Sequence, residues 1–541
     1  MEYTFSQQIK WAWSITKGYR SALLVYFILE LLAIGMSLLF VLWTKQAIDI
    51  ATNASTADLK TAMILVVISL LLTLVLRGLS TWVNERTRIR MGLSLQRQMI
   101  EEQMMSAWRV MKDWHTGDIQ VRIQSDCNEV VAMLAYSAIS FVLTLLQLLA
   151  SFVFLWSMDP MLAFVVVAIT PLFLLSKLYY KKMRRLSWEV KKEESNYGVV
   201  MQENLRFRVL IRAMGLLKSR SVKLEGSQAS LDKLKIEQLN FSTITQFAMK
   251  MTINIGYLLT FIWGVYRLHV GQISFGTMTA FLQLVGRIQG PILKLFGFVP
   301  LFIRFRTSVE RLMDLIGGPK EVSVKPVTLS KIHAISIEGL SFRYEDHLVI
   351  DGMNAKMEIG QPTAILGASG KGKTTLIRLL LAIVKAESGQ IWLEGASGRV
   401  VLTEKYRANF SYVPQGNSLF SGTIKDNLII GCENTKEEQI EHALWLACAE
   451  FVYDLPEGLN TLIGESAYGL SEGQAQRIAI ARAMMRDAGI WLFDEITSAL
   501  DWEIADILIG RLLQESKDKI CLFVTHDLKL AEVCKQTIYM K

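Results

Sequence analysis

The chain has 541 residues, 51% of them hydrophobic and 20% charged, with a mean hydropathy of +0.31. That is too apolar for an ordinary soluble enzyme and too charged for a chain buried wholly in a membrane, and the length points to more than one domain. The net charge of +8 does not indicate nucleic acid, because the basic residues follow alternate apolar runs instead of forming one basic face.

At the N-terminus Phe5, Ile9 and Trp13 recur every four residues beside Lys10 and Lys17. This predicts a short amphipathic helix on the inner membrane surface. Six apolar runs follow, near 21–43, 61–83, 131–156, 160–180, 247–266 and 276–303. Each is close to the roughly 20 residues that a transmembrane helix requires. Asp159-Pro160 breaks the third from the fourth. Arg86, Arg88, Arg90, Arg97, Arg109, Lys112 and Arg122 follow the second run, and Lys177, Lys181, Lys182, Arg184, Arg185, Lys191 and Lys192 the fourth. The intervening loops carry few cations, Lys60 and Arg267 among them. By the positive-inside pattern, this is a multi-pass protein of the cell membrane with its N-terminus and soluble half in the cytoplasm. No cleavage-like site follows the first run, so it is not read as a signal peptide.

Segments 84–130 and 181–246 are charged and free of proline, and are expected to extend the spans as continuous helices into the cytoplasm. Ionisable residues inside spans mark function by default. Glu30, about ten residues or 15 Å into the first span, and Arg287 are therefore expected substrate contacts. Lys294 lies seven residues beyond Arg287, on the same helical side. Tyr257, Phe261 and Trp263 read either as facing a cavity or, as is usual for aromatic residues in a span, as packing or interface anchors. Five cysteines (Cys127, Cys432, Cys448, Cys521 and Cys534) show no CxxC spacing, which argues against a zinc site. On this topology all five face the reducing cytoplasm.

The polar, proline-bearing stretch 317–332 reads as a linker between a membrane domain, 1–316, and a soluble domain, 333–541. In the soluble domain the apolar runs "TAILG" (363–367), "GIWLFDE" (489–495) and "ICLFVTH" (520–526) alternate with helical patterns. They predict a parallel sheet covered on both faces. Gly367, Ala368, Ser369, Gly370, Lys371, Gly372, Lys373 and Thr374 satisfy GxxxxGK[ST] between a strand and a helix, the phosphate-cradling loop. Lys373 is placed to reach the β- and γ-phosphates of ATP, and Thr374 to bind Mg²⁺. Asp494 ends an apolar strand, where it would hold Mg²⁺. Glu495 follows on the other side of the alternation, where it would deprotonate an attacking water. His526 ends the third strand, at the sheet edge where ligands collect. "GLSEGQAQR", 469–477, reads locally as a helix start, with Ser471 as N-cap and Gln474 completing a capping box.

In this combination and order the motifs closely resemble the ATP-binding cassette (ABC) transporters of exporter type. The likeness implies a membrane bundle of six transmembrane α-helices with long cytoplasmic extensions, fused to an α/β P-loop ABC ATPase domain. It implies ATP and Mg²⁺ as cofactors and a catalytic set of Glu495, Gln415 and His526. Tyr344 would stack on adenine; 367–375, through Thr375, would be the Walker A loop; Gln415 would join Thr374 and Asp494 on Mg²⁺. Ser471, Gly473 and Gln474 would contact ATP held by the other subunit, and Asp501 would communicate across that interface. Glu465, in "TLIGES", is similar to a segment that meets the membrane-domain loops, and two docking helices would lie near Trp108–Gly117 and Leu205–Ala213. With one P-loop and one signature per chain, the resemblance implies a homodimer, or a heterodimer with a degenerate partner, set in the lipid bilayer and moving an amphipathic drug, lipid or peptide. An importer on the same scaffold and an ATP-gated channel or regulator are the competing readings.

Two departures from the family pattern stand out. Glu472 replaces the first glycine of LSGGQ and is expected to point away from the phosphate. The chain also stops soon after the last strand, which puts a C-terminal dimer contact in doubt. There is no room ahead of the first span for a peptidase domain, which disfavours a cleaving peptide exporter.

Overall fold

The computed structural model describes the chain except residues 1–2, 109–113, 115, 169–175, 322–323, 369, 397, 417, 433–434, 465–468 and 541. Two compact units form: Met1–Ser106 with Val110–Pro319, and Lys320–Lys541 with Ala107–Arg109.

The first unit is helical. Helix α1 (Phe5–Ile15) buries Gln8 and Ala12, and leaves Phe5, Ile9 and Trp13 exposed along the adjoining stripe. The Gln8 amide donates to Glu310 at 2.8 Å. Helices α2 (Arg20–Ala51), α3 (Leu59–Met104) and α4 (Asp118–Met158) are each long and apolar enough to cross a membrane. The Asp58 carboxylate caps α3 by accepting from the Lys60 and Thr61 amides. Leu24, Ile28, Leu31 and Leu32 of α2 and Met63, Ile64, Val67 and Leu71 of α3 are exposed, an apolar surface suited to lipid. Helix α4 contains two π turns, Arg122–Asp126 and Met133–Ser137.

Asp159 separates α4 from α5 (Pro160–Ala168), whose first residue is a proline that needs no amide partner there. Asp159 is buried and accepts from the amides of Met161 and Leu162 at 3.0 and 3.1 Å. Its other oxygen meets Arg267 at 3.5 Å and the Trp263 indole at 3.4 Å. Of the expected fourth span, residues 169–175 lie outside the described residues. Helices α6 (Ser176–Arg206), α7 (Arg208–Ala213), α8 (Leu217–His269) and α9 (Phe275–Ile316) complete the unit. The expected fifth and sixth spans lie within α8 and α9. The 53 residues of α8 reach roughly 80 Å, far beyond a 30 Å hydrocarbon core, but the expected extensions are not continuous: α3 ends at Met104, before α4, and α6, α7 and α8 are separate helices. Asp126, buried in the first π turn, accepts from Ser308 at 3.0 Å and pairs with Arg311 at 3.3 Å, tying α4 to α9.

The second unit holds two main sheets. Strands β1 (Ile332–Tyr344), β2 (His347–Glu358), β4 (Ser388–Gly395) and β5 (Gly398–Val401) form an antiparallel sheet in the order β2-β1-β4-β5. Strands β3 (Thr363–Leu366), β6 (Phe410–Val413), β9 (Ile490–Asp494), β10 (Ile520–Thr525) and β11 (Gln536–Tyr539) form a parallel sheet in the order β11-β3-β10-β9-β6. The three apolar runs singled out in the sequence are β3, β9 and β10, buried at every position. Helix α10 (Lys373–Leu380) follows β3; α11 (Ile424–Ile429), α12 (Glu437–Leu446) and α13 (Glu472–Met484) lie between β6 and β9; α14 (Trp502–Glu515) follows β9. The minor pair β7 (Gly422–Thr423) and β8 (Leu462–Ile463) flanks α11. One core packs β1, β3 and α10; another packs α12, α13 and α14 around Phe493 and Phe523.

Candidate nucleotide site

In a parallel sheet, loops leaving neighbouring strands at their C-terminal ends converge. Here β3 leads into the P-loop, β10 into His526, β9 into Glu495 and β6 towards Gln415, and these four strands are adjacent.

The P-loop turns through Gly370 and Gly372, with φ of 84° and 87°. A Cβ on Gly372 would sit 2.9 Å from Val349 Cγ1 and 3.1 Å from its carbonyl oxygen, so no larger residue fits there. The turn delivers Lys373 to the first position of α10, where amide donors and the helix dipole favour anions. Lys373 is buried, and its ammonium donates to the carbonyls of Gly367 at 2.5 Å and Ala368 at 3.4 Å. Neutral carbonyls compensate a buried cation less well than an anion does, so phosphate oxygens would be preferred partners. The Thr374 side is exposed and Thr375 is buried. Ser369 and Glu465 lie outside the described residues.

Asp494 is buried at the end of β9. Burial first, then the charge of Glu495, pushes its carboxyl up to about 6, while Lys373 and Arg378 pull the other way. A buried carboxylate that is hard to ionise alone suits a site completed by a cation. With the Thr374 hydroxyl and the Gln415 amide oxygen it offers the oxygen ligands that Mg²⁺ takes.

Glu495 adopts a left-handed backbone, φ 50°, which costs a non-glycine residue about 1–3 kcal/mol. Surrounding bonds hold it there. Its amide donates to Val524 at 2.9 Å, and its carbonyl accepts from the Ser498 amide and hydroxyl at 3.2 and 2.9 Å and from the Gln476 amide at 3.1 Å. The turn aims the carboxylate at Gln415, whose Nε2 donates to it at 2.5 Å, and at His526, whose Nδ1 lies 3.5 Å away. Two residues from separate motifs thus meet on the carboxylate of a third.

Tyr344 ends β1 with its ring edge-on to Phe342 at 4.8 Å. Its hydroxyl accepts from Arg378 of α10 at 2.9 Å, and the Trp108 ring covers that guanidinium at 4.3 Å. Of the first expected docking stretch, only Trp108, Trp114, Thr116 and Gly117 are among the described residues; the second spans the end of α6 and all of α7.

Ser471 is the N-cap of α13. Its hydroxyl accepts from the Gln474 amide at 3.2 Å and its own amide donates to the Gln474 side chain at 2.9 Å. This is the capping box read from the sequence. Glu472 is exposed in the first turn. A Cβ on Gly473 would meet the Ala499 carbonyl at 2.6 Å, so this glycine lets α13 press against the loop that ends at Asp501, the N-cap of α14. Among the described residues no hydrogen bond links Ser471, Gly473 or Gln474 to the P-loop.

Sequence reasoning passed over Gln476, which is buried and joins α13 to the Glu495 turn. The signal was a polar residue among Ala475, Ile478 and Ala479 on a buried helix face. It also passed over Arg378, one turn beyond Thr374.

Residues 23–292 match the family described as ABC transporter transmembrane region, and residues 350–498 the family described as ABC transporter. Curated relatives include the Toxin RTX-I translocation ATP-binding protein of Actinobacillus pleuropneumoniae and the Leukotoxin translocation ATP-binding protein LktB of Mannheimia haemolytica. Each is 26% identical over 531 residues, covering 97% of this chain and 74% of the relative. A solved bacterial Atm1-family ABC exporter with ATP bound shares the fold, with a TM-score of 0.82 at 20% identity over 96% of this chain and 94% of that one.

Proposed function

The chain belongs to the ABC transporters, membrane proteins of exporter type that couple ATP hydrolysis to transport, and from that premise we propose that it exports or flips an amphipathic substrate as a homodimer in the cell membrane. The observation that carries the site assignment is the meeting of Gln415 and His526 on the Glu495 carboxylate, beside a buried Asp494 and the P-loop.

ATP supplies the phosphoanhydride, and Mg²⁺ would neutralise charge on its phosphates. Lys373 and the amides of Gly370–Thr375 bind the phosphates. Thr374, Asp494 and Gln415 would hold the metal, and Tyr344 carries the adenine. The Glu495 carboxylate orients water and takes its proton, while His526 fixes that carboxylate and faces the γ-phosphate. Ser471, Gly473 and Gln474 at the start of α13 face the nucleotide of a second copy, and Asp501 reports across the same interface. Closure of the two cassettes drives the membrane half to open outwards, and hydrolysis releases it. On the topology read from the basic loops, the N-terminus and the ATP-binding domain, 333–541 after the 317–332 linker, are cytoplasmic. Within the membrane domain, 1–316, Glu30 and Arg287 contact substrate.

The test is vectorial flux in liposomes. Wild-type protein moves substrate only with ATP, and Glu495→Gln abolishes turnover while still allowing ATP-bound closure. Wild-type turnover in that variant rejects the base assignment. Flux towards the cassette side indicates an importer; ATP-dependent activity without flux indicates a channel or regulator.

A further inference from the structure

The two ionisable span residues expected to meet substrate are each engaged by a serine: Ser80 donates its hydroxyl to Glu30, and Arg287 donates to Ser37 at 2.6 Å. A cation in a less expected setting lies in the second unit. Arg407, Arg477 and Arg482, half-buried arginines of that unit, bond the backbone carbonyls of Leu381, Cys448 and Ser418 at 2.8, 2.6 and 2.8 Å. Arg378 of α10 is half-buried too but, among the described residues, bonds neither a carbonyl nor a carboxylate. Its Nη1 donates to the Tyr344 hydroxyl at 2.9 Å, and its guanidinium carbon lies 4.3 Å from the centre of the Trp108 ring.

These contacts form a chain of restraints on one ring. A tyrosine side chain has two torsions to fix. The edge-on contact with Phe342 at 4.8 Å limits the tilt of the ring, and the Arg378 bond fixes where its hydroxyl end points. An arginine is long and flexible, so it directs that hydroxyl only if it is itself held. Trp108 holds it by the face, a cation–π contact that leaves the edge donors free. The Trp108 indole nitrogen is buried with no hydrogen-bond partner among the described residues, so packing and this contact, not a polar tether, keep the indole in place. The hairpin that pairs Tyr344 with His347 is also seated on the phosphate loop, since Val349 of β2 leaves no room for a Cβ on Gly372. Tyr344 is thus tied twice to the element that delivers Lys373: through its hairpin to Gly372, the N-cap of α10, and through its hydroxyl to Arg378.

We propose that Arg378 and Trp108 are positioning residues for the nucleotide base. Arg378 holds the Tyr344 ring ready to stack on adenine, and Trp108, from the stretch between α3 and α4, holds Arg378. This rests on the reading that Tyr344 carries the adenine, and adds the residues on which that stacking depends. A ring fixed before the base arrives loses less freedom on binding, which favours ATP affinity without touching the phosphates. The consequence for binding is therefore confined to ligands that have a base.

The test uses the full chain in phosphatidylcholine nanodiscs and measures kcat, KM for ATP and the inhibition constant of inorganic tripolyphosphate, which has no base. Tyr344→Phe, which keeps the ring but not the hydroxyl, and Trp108→Leu should each raise KM about five-fold, the effect of losing one net hydrogen bond. kcat at saturating ATP should change less than KM, and tripolyphosphate inhibition should stay within about two-fold of wild type, since the phosphate contacts are untouched. Combining the two substitutions should add little to either alone, because each cuts the same link. Arg378→Lys, which keeps the charge but not the planar fork, should match Tyr344→Phe. Trp108→Phe, which keeps an aromatic face, should stay near wild type; these two variants guard against a folding defect in Trp108→Leu. Losses that multiply in the double variant, or tripolyphosphate inhibition weakened in step with KM, overturn the positioning role. Tyr344→Leu tests the underlying reading separately. An unchanged KM there means that Tyr344 does not carry the base, whereas a raised KM there with Tyr344→Phe at the wild-type level overturns only the part played by Arg378 and Trp108.

Discussion

Replacing Gln476 by methionine tests whether the backbone of Glu495 must be held for turnover. Methionine matches glutamine in length and suits a buried helix face, but removes the amide that donates to the Glu495 carbonyl at 3.1 Å. Two donors from Ser498 remain on that oxygen, so no acceptor is left bare. The loss is that of one net hydrogen bond, about 1 kcal/mol. Glu495 sits in a left-handed conformation that is itself unfavourable by a similar amount. A loss of about 1 kcal/mol shifts the population of the aimed conformer roughly five-fold. We therefore expect kcat for ATP hydrolysis to fall about five-fold with KM nearly unchanged, because no hydrogen bond joins Gln476 to the P-loop among the described residues. Gln476→Leu likewise lacks the donor, buries no charge and should behave like methionine. Steady-state ATPase of the full chain in nanodiscs gives both parameters. An unchanged kcat in both variants, or a raised KM with kcat intact, would refute the positioning argument.

Lys373→Ala should weaken ATP binding itself, by ten-fold or more if its charge-assisted bonds to phosphate are worth about 1.5–3 kcal/mol; unchanged affinity in equilibrium binding counts against the phosphate assignment. Glu472→Gly should leave ATPase within a few-fold, since its charge is exposed and mainly supports the helix N-terminus, by about 0.3–1 kcal/mol. A large gain would instead show that Glu472 tunes the site down. Gly473→Ala should cost far more, because its methyl would meet the Ala499 backbone at 2.6 Å; normal activity would mean that α13 need not touch that loop. The Asp494 carboxyl, pushed up to about 6 by burial and Glu495, binds its proton more tightly in the folded than the unfolded chain. Its contribution to stability is therefore greatest below its ordinary value, declines as pH rises towards 6, and is absent above that. In metal-free, nucleotide-free buffer, Asp494→Asn should raise the melting temperature relative to wild type at pH 7, and this gain should shrink at pH 5.

The motifs were legible because each binds its chemistry to adjacent residues. Strand, glycine turn and lysine occur in one run at 363–374, and the Ser471–Gln474 cap closes over three positions. The apolar runs of β3, β9 and β10 were legible because strands buried on both faces lose their polar alternation. The antiparallel sheet was not foreseen. In β1 and β2 the register shifts between Ile337 and Leu340 and again before Phe342, and these irregularities interrupt the two-residue period. Long-range partners escaped for a different reason. Ser37 and Arg287 lie 250 positions apart, and Gln476 depends on a carbonyl, which carries no signature of its own residue type. Trp108, counted with the membrane half from its position in the chain, groups with the second unit, packing that local composition does not encode.

The two π turns of α4 give that helix slack in register. Each wide turn accommodates about one residue more than an α-helix of the same length, so side chains on either side are phased independently. Cys127 and Val130, between the turns, can meet their neighbours without dictating where Leu143, Ser151 and Leu155 point further along. Deleting one residue within either turn would restore regular winding there and leave both flanks nearly in phase, whereas the same deletion in a regular stretch would swing one flank by about 100° about the axis. Moving a π turn along such a span rotates only the residues it passes, so a middle segment can present different side chains while both ends stay in place.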